Sequence, residues 1–307
     1  MRRRSTWQRV DGVLLLDKPV GLTSNVALQR ARRALNAAKA GHTGTLDPLA
    51  SGLLPVCFGE ATKFAQGLLD ARKEYLATVH FGTATRTGDA EGDVIAEAPV
   101  TFDATTLAAV LQRFMGATEQ VPPRYAALKH EGRNYYEYAR EGIEIPRVAR
   151  PIVIDRLELT RYVPPVALLH VGCSKGTYVR TLAEDIGHAL GTVAHLAGLR
   201  RLAVGSFRIE DAVTLEALEA IAEDARGARL LPIDAALASL PAVNLDAATS
   251  AALLHGQLVV HAGRATGRLR AYGPAGEFLG VVEAAPPELR PVRLVDQAAP
   301  RPPPATA

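Results

Sequence analysis

One carboxylate stands alone in a glycine-rich stretch that carries neither lysine nor arginine. Asp47 lies within GHTGTLDPLASGLLPVCFG, residues 41–59, where it is the only acidic side chain among small and apolar neighbours. Desolvation in such surroundings disfavours the charged form of a carboxyl group, so a cation must lie nearby to keep it ionised. The stretch is compatible with a rigidly held catalytic carboxylate, although an isolated Asp-Pro pair by itself favours an ordinary turn.

Basic and acidic side chains are unevenly placed around this stretch. The net charge is only +3, yet no acidic residue occurs between Asp17 and Asp47, whereas acids collect at residues 210–224. The basic residues of the first region are Lys18, Arg30, Arg32, Arg33 and Lys39. This asymmetry is typical of a surface for a polyanion, and equally of a solvated helix face.

Length and composition narrow the class of protein. A chain of 307 residues predicts two domains, or one large domain with an appendage. Its 48% apolar and 22% charged residues are ordinary for a globular protein. The two cysteines, Cys57 and Cys173, are far apart, which argues against a disulfide framework or a cysteine-rich zinc site and fits a cytoplasmic location. No apolar run reaches the roughly 18 residues that a membrane helix needs.

Hydrophobic periodicity supplies the elements that must position Asp47. A strand at 13–16 precedes a basic amphipathic helix, which Thr23 or Ser24 caps and which runs to about Ala37. Residues 41–59 follow neither the helical nor the strand period, which predicts a structured loop. Further along the chain, strands are predicted at 75–81, 152–160 and 166–173, and helices after Asp103, at 177–190 and at 214–225.

The last quarter of the chain reads as a separate unit. Pro232 and Pro241 bracket a predicted linker, beyond which we expect a helix near 247–255, a strand at 258–261 and a hairpin. The predicted organisation is a basic N-terminal arm (1–11), a catalytic domain (12–235), a β-rich domain (236–295) and a disordered Pro-rich tail (296–307).

Short motifs between residues 12 and 210 are specific as a set. They are DKPVGLTS (17–24), GHTGTLDPLASGLLP (41–55), GEATK (59–63), KEY (73–75), TRTGDAEG (85–92), PPRYAALK (122–129), YEYAREG (136–142), CSKGTYVRTL (173–182) and HLAGLRR (195–201). In content and order they resemble the motifs of the TruB-type pseudouridine synthases, the tRNA pseudouridine-55 synthases. Residues 236–295 resemble the PUA-like RNA-binding domain that follows the catalytic domain in bacterial members.

The resemblance implies an α/β (α+β) pseudouridine synthase fold, with a mixed, largely antiparallel sheet flanked by helices. It implies an isomerase that breaks the N1–C1′ bond of the T-loop uridine of tRNA and rejoins the base through C5. Neither a cofactor nor a metal is needed for this reaction. A monomer that binds tRNA and no membrane is expected.

The resemblance also assigns roles to individual residues. Asp47 becomes the essential catalytic aspartate, and Arg180 the cation that pairs with it. Tyr75 is expected to stack on the target uracil and is a candidate to take the C5 proton, while Tyr178 and Leu199 line the pocket. The residue pattern by itself favours a surface position for Arg180 and a core position for both tyrosines.

His42 and several basic residues are assigned to RNA binding. The target uridine must be extruded from a folded loop, and His42, five residues before Asp47, is placed to fill the vacated space. A histidine in a glycine-rich loop is otherwise a common turn residue. The candidate phosphate contacts are Lys18, Lys63, Lys129, Arg140, Arg200 and Arg201.

Two other classes of protein fit parts of this pattern. An RNA-binding or RNA-folding module would use the same basic surface with a purely structural Asp47. A glycoside hydrolase would need paired carboxylates, whereas residues 18–59 contain one acid and the whole chain one tryptophan.

Overall fold

A computed structural model describes residues 7–297 of the chain. The predictions for residues 1–6 of the basic arm and 298–307 of the Pro-rich tail lie outside the described residues. Within the described range, every helix is too short or too polar to cross a membrane.

The described chain contains an N-terminal α/β region and a C-terminal β region. The strands of the first are β1 (Gly12–Lys18), β2 (Ala40–His42), β3 (Ala50–Phe58), β4 (Lys73–Phe81), β5 (Thr83–Thr85), β6 (Val94–Glu97), β7 (Gly116–Gln120), β8 (Lys129–His130), β9 (Arg133–Asn134), β10 (Arg150–Val163), β11 (Val166–Cys173), β12 (Ala194–Val204), β13 (Phe207–Arg208) and β14 (Val213–Thr214). The α-helices are α1 (Ser24–Ala34), α2 (Ala65–Asp70), α3 (Ala104–Gln112), α4 (Tyr135–Arg140), α5 (Val179–Ala189), α6 (Leu215–Ala220) and α7 (Ala247–Leu254).

A ten-stranded sheet forms the centre of the N-terminal region. Its main path runs β14-β1-β3-β12-β4-β11-β10-β7, with β2 paired to β3 and β13 paired to β12. The β1–β14 and β3–β12 pairs are parallel and the others are antiparallel. The predicted mixed, largely antiparallel sheet flanked by helices is therefore confirmed.

The prediction that residues 41–59 form one continuous loop is wrong, because β3 occupies its second half. This strand lies between β1 and β12 near the middle of the sheet and is buried along almost its whole length. A strand that is covered on both faces shows no alternation of polar and apolar residues. What remains of the loop is residues 43–49, which carry Asp47 between β2 and β3.

Helix α1 begins as predicted but its basic face is partly neutralised within the molecule. Thr23 caps it by accepting a hydrogen bond from the Val26 amide, and the helix ends at Ala34 rather than Ala37. Arg30 forms two hydrogen bonds to the carboxylate of Glu219 on α6, at 2.9 and 2.6 Å. The acidic segment near residue 220 therefore lies against the basic helix, and this face is not simply open to a polyanion.

Helix α5 starts two residues later than predicted. Tyr178 precedes its first turn with extended backbone angles, so it does not share the helical face of Leu182 and Ile186, which are buried. The helix approaches the sheet closely at Gly187, where a Cβ atom would come within 2.8 Å of the Ala194 side chain. This close contact fixes the last turn of α5 against the start of β12.

The C-terminal region contains a second sheet, ordered β15-β17-β18-β19-β16 and covered by α7. Its strands are β15 (Ala242–Asn244), β16 (Val259–Val260), β17 (Gly267–Tyr272), β18 (Phe278–Ala285) and β19 (Glu288–Leu294). The predicted hairpin is confirmed as β17 and β18. The predicted linker is partly buried, since Leu237 within it packs with Phe64, Val281 and Val295.

Candidate active site

The loop that carries Asp47 is held from both sides. The Ser24 hydroxyl, at the start of α1, accepts a hydrogen bond from the Leu46 amide at 2.7 Å. On the other side, the Gly21 amide donates to the Pro48 carbonyl at 2.8 Å. The loop therefore has little freedom, and the position of the Asp47 carboxylate is set by the strands and helix around it.

Asp47 contacts Arg180, which enters from the first turn of α5. One Nη atom of Arg180 lies 3.1 Å from Oδ2 of Asp47, and the arginine side chain is 8% exposed while that of the aspartate is 44% exposed. The guanidinium also donates to the carbonyls of Tyr125, at 2.7 Å, and Thr87, at 3.2 Å. Because several acceptors fix the planar guanidinium of Arg180, it presents its charge to Asp47 in one orientation.

A second carboxylate contacts the same guanidinium. Asp89 Oδ2 lies 3.5 Å from Arg180, and its side chain is only 5% exposed. The other carboxylate oxygen accepts hydrogen bonds from the Thr87 hydroxyl, at 2.6 Å, and the Glu91 amide, at 3.1 Å. Sequence reasoning gave Asp89 no role, although it lies within the block TRTGDAEG that it singled out.

A cavity of about 310 Å³ opens beside Asp47. Tyr75, Tyr178 and Leu199 line it together with Asp47 and Arg180, so the structure brings these five predicted residues together. A cavity of this size, with one carboxylate and aromatic and aliphatic walls, suits a flat polar ring such as a nucleobase.

Burial keeps both tyrosines of the cavity in their neutral form. It raises the pKa of Tyr75 and also that of Tyr178. The backbone of Tyr178 is fixed by the Gln120 side chain, which accepts from its amide at 2.7 Å and donates to its carbonyl at 3.1 Å. Within residues 7–297, no three His, Cys, Asp or Glu side chains gather as metal ligands would.

Comparison with known proteins places the chain in a family. The matching family models are TruB family pseudouridylate synthase (N terminal domain) over residues 32–179, tRNA pseudouridylate synthase B C-terminal domain over 180–238, and Pseudouridine synthase II TruB, C-terminal over 241–295. The tRNA pseudouridine synthase B of Burkholderia mallei (strain ATCC 23344) is 54% identical over 301 residues, which cover 96% of this chain and 97% of that protein. The chain belongs to the TruB family of pseudouridine synthases.

Further proteins of known sequence or structure are similar to this TruB-family chain over most of its length. The tRNA pseudouridine synthase B of Methylobacillus flagellatus is 51% identical over 300 residues, or 97% of this chain and 99% of that protein. A chain of the crystal structure of a Cbf5-Nop10-Gar1 complex superimposes with a TM-score of 0.70 at 30% identity, covering 92% of this chain and 81% of that one. A chain of the structure of an H/ACA RNP bound to a substrate RNA containing 2'-deoxyuridine superimposes with a TM-score of 0.69 at 28% identity. The match covers 94% of this chain and 86% of that one.

Two basic residues predicted to bind RNA phosphates are internal instead. Lys18 is fully buried, and its ammonium donates to the carbonyls of Pro19 and Leu22 at 2.9 and 2.6 Å. Burial lowers its pKa to about 8. It therefore supports the turn beside the Asp47 loop and cannot reach RNA, so this prediction for the TruB-family chain is wrong.

Arg201 is also internal. Its side chain is 1% exposed and donates to the carbonyls of Leu53, at 2.6 Å, and Gly44, at 3.3 Å. The backbone of Arg201 also lies close to β3, since a Cβ atom on Gly52 would lie 2.3 Å from the Arg201 carbonyl oxygen. Arg201 therefore fixes the base of the Asp47 loop, and its prediction as a phosphate contact is wrong.

The other four basic residues predicted to contact phosphates differ in ion pairing and in solvent exposure. Lys63 pairs with Glu60 and donates to the Leu294 carbonyl, so it joins the two regions of the chain. Arg200 pairs with Asp17 through two hydrogen bonds and remains 41% exposed. Lys129 and Arg140 are exposed on the segment between β7 and β10, where RNA could reach them.

His42 ends strand β2, five residues before Asp47, and is half-buried. Burial, with the nearby Arg201 charge, lowers its pKa, so the imidazole is neutral near pH 7. Its Nδ1 atom is buried and makes no hydrogen bond within the described part of the chain. It is not among the residues that line the Asp47 cavity, so its predicted stacking role is not visible in the protein alone.

Proposed function

We propose that this protein is a tRNA pseudouridine-55 synthase that isomerises the T-loop uridine of tRNA. The observation that supports this most directly is the contact between Asp47 and Arg180 beside a cavity sized for one base. The proposal includes a monomer that acts in the cytoplasm, with a catalytic domain at 12–235 and a PUA-like RNA-binding domain at 236–295.

The Asp47 carboxylate acts on the ribose of the target nucleotide. It either attacks C1′ as a nucleophile or takes a sugar proton while it stabilises positive charge at C1′, and in both routes the N1–C1′ bond breaks. Arg180 orients the carboxylate and places a positive charge beside it, because it lies 3.1 Å away and is itself fixed by carbonyl oxygens.

The freed uracil turns within the cavity and rejoins the ribose through C5. The C5 proton is then lost and N1 gains a proton, so the reaction is an isomerisation with no net change of atoms. Tyr75 stacks on the base. Because burial keeps its phenol protonated, the phenol takes the C5 proton only as it passes its own O–H proton to water, from which N1 is protonated. Leu199 supplies an apolar wall of the cavity.

The uridine reaches this cavity only after it leaves its stacked position in the RNA loop, which costs a few kcal/mol. His42 recovers part of that cost by stacking in the vacated space, for which its neutral form is suited. Lys129 and Arg140 contribute phosphate contacts that hold the stem and do not select the sequence.

The test is the Asp47→Asn variant, which preserves shape and removes the charge. Each protein is incubated with a T-loop stem transcript, and pseudouridine is detected by mass spectrometry after cyanoethylation. We expect product with the wild type and with the matched variant Asp224→Asn, whose side chain is exposed, and none with Asp47→Asn.

Other outcomes are equally informative. Normal conversion by Asp47→Asn would make Asp47 structural and reject the mechanism. A wild type that binds the transcript without modifying it would favour an RNA-binding module. The glycoside hydrolase alternative lacks support, because Asp89 is 5% exposed and is absent from the residues that line the cavity.

A further inference from the structure

The start of β12 holds the segment that carries Asp89. Residues 193–196 contact this segment, residues 82–90, near both of its ends. The backbone contacts are Gly82 N to Val193 O at 2.7 Å, Leu196 N to Gly88 O at 3.0 Å and Ala90 N to Leu196 O at 3.0 Å. Asp89 therefore lies between two hydrogen bonds made by a single residue of β12.

The side chain of His195 adds a contact to this set. It is buried, with 8% exposure, and its Nδ1 atom lies 2.8 Å from the Thr83 carbonyl oxygen. Because a carbonyl only accepts hydrogen bonds, Nδ1 must carry the proton. The ring stacks on His80 of β4, with centroids 5.2 Å apart and planes 27° apart, which fixes its orientation.

The carbonyl that His195 holds is connected to Asp89 through strand β5. Thr83 begins this strand and Thr85 ends it, and the Thr85 hydroxyl donates to the Asp89 carbonyl at 2.6 Å. A shift of β5 would therefore move the Asp89 carboxylate relative to Arg180. Since Arg180 also contacts Asp47, the shift would reach the catalytic carboxylate.

We infer that His195 is a positioning residue of the catalytic centre, which holds Asp89 in place against Arg180 through β5. The inference rests on the proposed function, because Asp47 is the group whose orientation it serves. His195 itself touches neither Asp47 nor the cavity. Its removal should slow the chemical step and leave RNA binding intact.

The experiment compares four variants of the full chain. Asparagine places its amide nitrogen near the position of Nδ1, so His195→Asn keeps the donor, whereas His195→Gln and His195→Leu do not. The matched control is His170→Leu, which removes a half-buried imidazole on β11 that pairs with Glu74 outside the cavity. Single-turnover rate constants are measured by tritium release from RNA labelled at uracil C5, and Kd values by filter binding.

We expect His195→Leu and His195→Gln to lower the single-turnover rate constant by about 10- to 100-fold, since a displacement of about 1 Å can cost about 100-fold. His195→Asn should stay within about threefold of the wild type, and Kd should stay unchanged in all variants, by the same reasoning. If His195→Leu fails to fold, the comparison of asparagine with glutamine decides the matter.

Equal rates for the asparagine and glutamine variants, or a loss that appears in Kd and not in the rate constant, would overturn the role of His195. A wild type that releases no tritium would instead reject the proposed function. The two failures are therefore distinguishable.

Discussion

Substitution of Arg180 by alanine would remove the cation that lies between two carboxylates. Asp47 and Asp89 contact this guanidinium at 3.1 and 3.5 Å, and two backbone carbonyls accept hydrogen bonds from it. After the substitution both carboxylates would lose this countercharge. We expect the single-turnover rate constant to fall steeply while the Kd for RNA changes much less.

The size of the fall follows from the distance and the exposure. Two unit charges 3.1 Å apart interact by about 1.3 kcal/mol in water and by about 5 kcal/mol at an effective dielectric constant of about 20. The Asp47 side chain is 44% exposed, so solvent screens the pair and an intermediate value of about 3 kcal/mol applies. If all of this energy is lost from the transition state, the reaction becomes about 150-fold slower.

The same substitution should also destabilise the fold. Asp89 is 5% exposed, and a buried charge that loses its partner costs about 3–5 kcal/mol in the free energy of unfolding. Urea denaturation measures this loss, and single-turnover tritium release measures the rate. The rate must be measured at a temperature where circular dichroism shows that the variant is folded.

Arg180→Lys separates charge from geometry. An ammonium keeps the positive charge but cannot reach four acceptors as a planar fork does. We expect its rate to lie between those of the wild type and Arg180→Ala. An Arg180→Ala protein that is folded and reacts within about threefold of the wild-type rate would refute the estimate of about 3 kcal/mol and the assignment of Arg180.

Three further predictions concern RNA binding and pH. His42→Ala should slow reaction on a folded T-loop stem more than on an already open loop, and His42→Phe should restore part of the rate; equal slowing of both substrates would argue against stacking. Changing Lys129 and Arg140 together to glutamine should reduce the slope of log Kd against log salt by about 1–2, whereas an unchanged slope would place them away from RNA. Between pH 8 and 10.5, Lys18 holds its proton more tightly in the unfolded chain than in the folded one, so its contribution makes the free energy of unfolding rise with pH in this window. Lys18→Met should flatten that rise in urea titrations, and an identical pH profile would refute the lowered pKa of Lys18.

Elements with one buried face were predictable from the sequence. Strand β4 alternates apolar and polar side chains, and Asp103 caps α3 as its type suggests. Strand β3 was missed because burial on both faces removes the alternation on which the prediction depends. Tyr178 differs from its prediction for another reason, because its spacing fits a helix that starts only at the next residue.

The sequence does not indicate which charged side chains of the site are buried. Lys18 and Arg201 were assigned to the surface because charged side chains are rarely buried. Backbone carbonyls from several elements surround them, and no sequence pattern marks such acceptors. Asp89 was overlooked for a similar reason, since its link to Arg180 joins segments about ninety residues apart and becomes visible only in the fold.

The order of strands in the large sheet has a consequence for how the chain folds. Strand β12 pairs with β3 on one side and β4 on the other, although more than a hundred residues separate it from either in sequence. A nascent chain that ends before residue 194 therefore holds two unjoined half-sheets, with the Asp47 loop on one and Tyr75 on the other. Contacts of such long range form slowly, because loop-closure entropy must first be overcome. We expect the cavity to be assembled late in synthesis, when β12 enters the gap, so that an incomplete chain has no site in which to capture RNA.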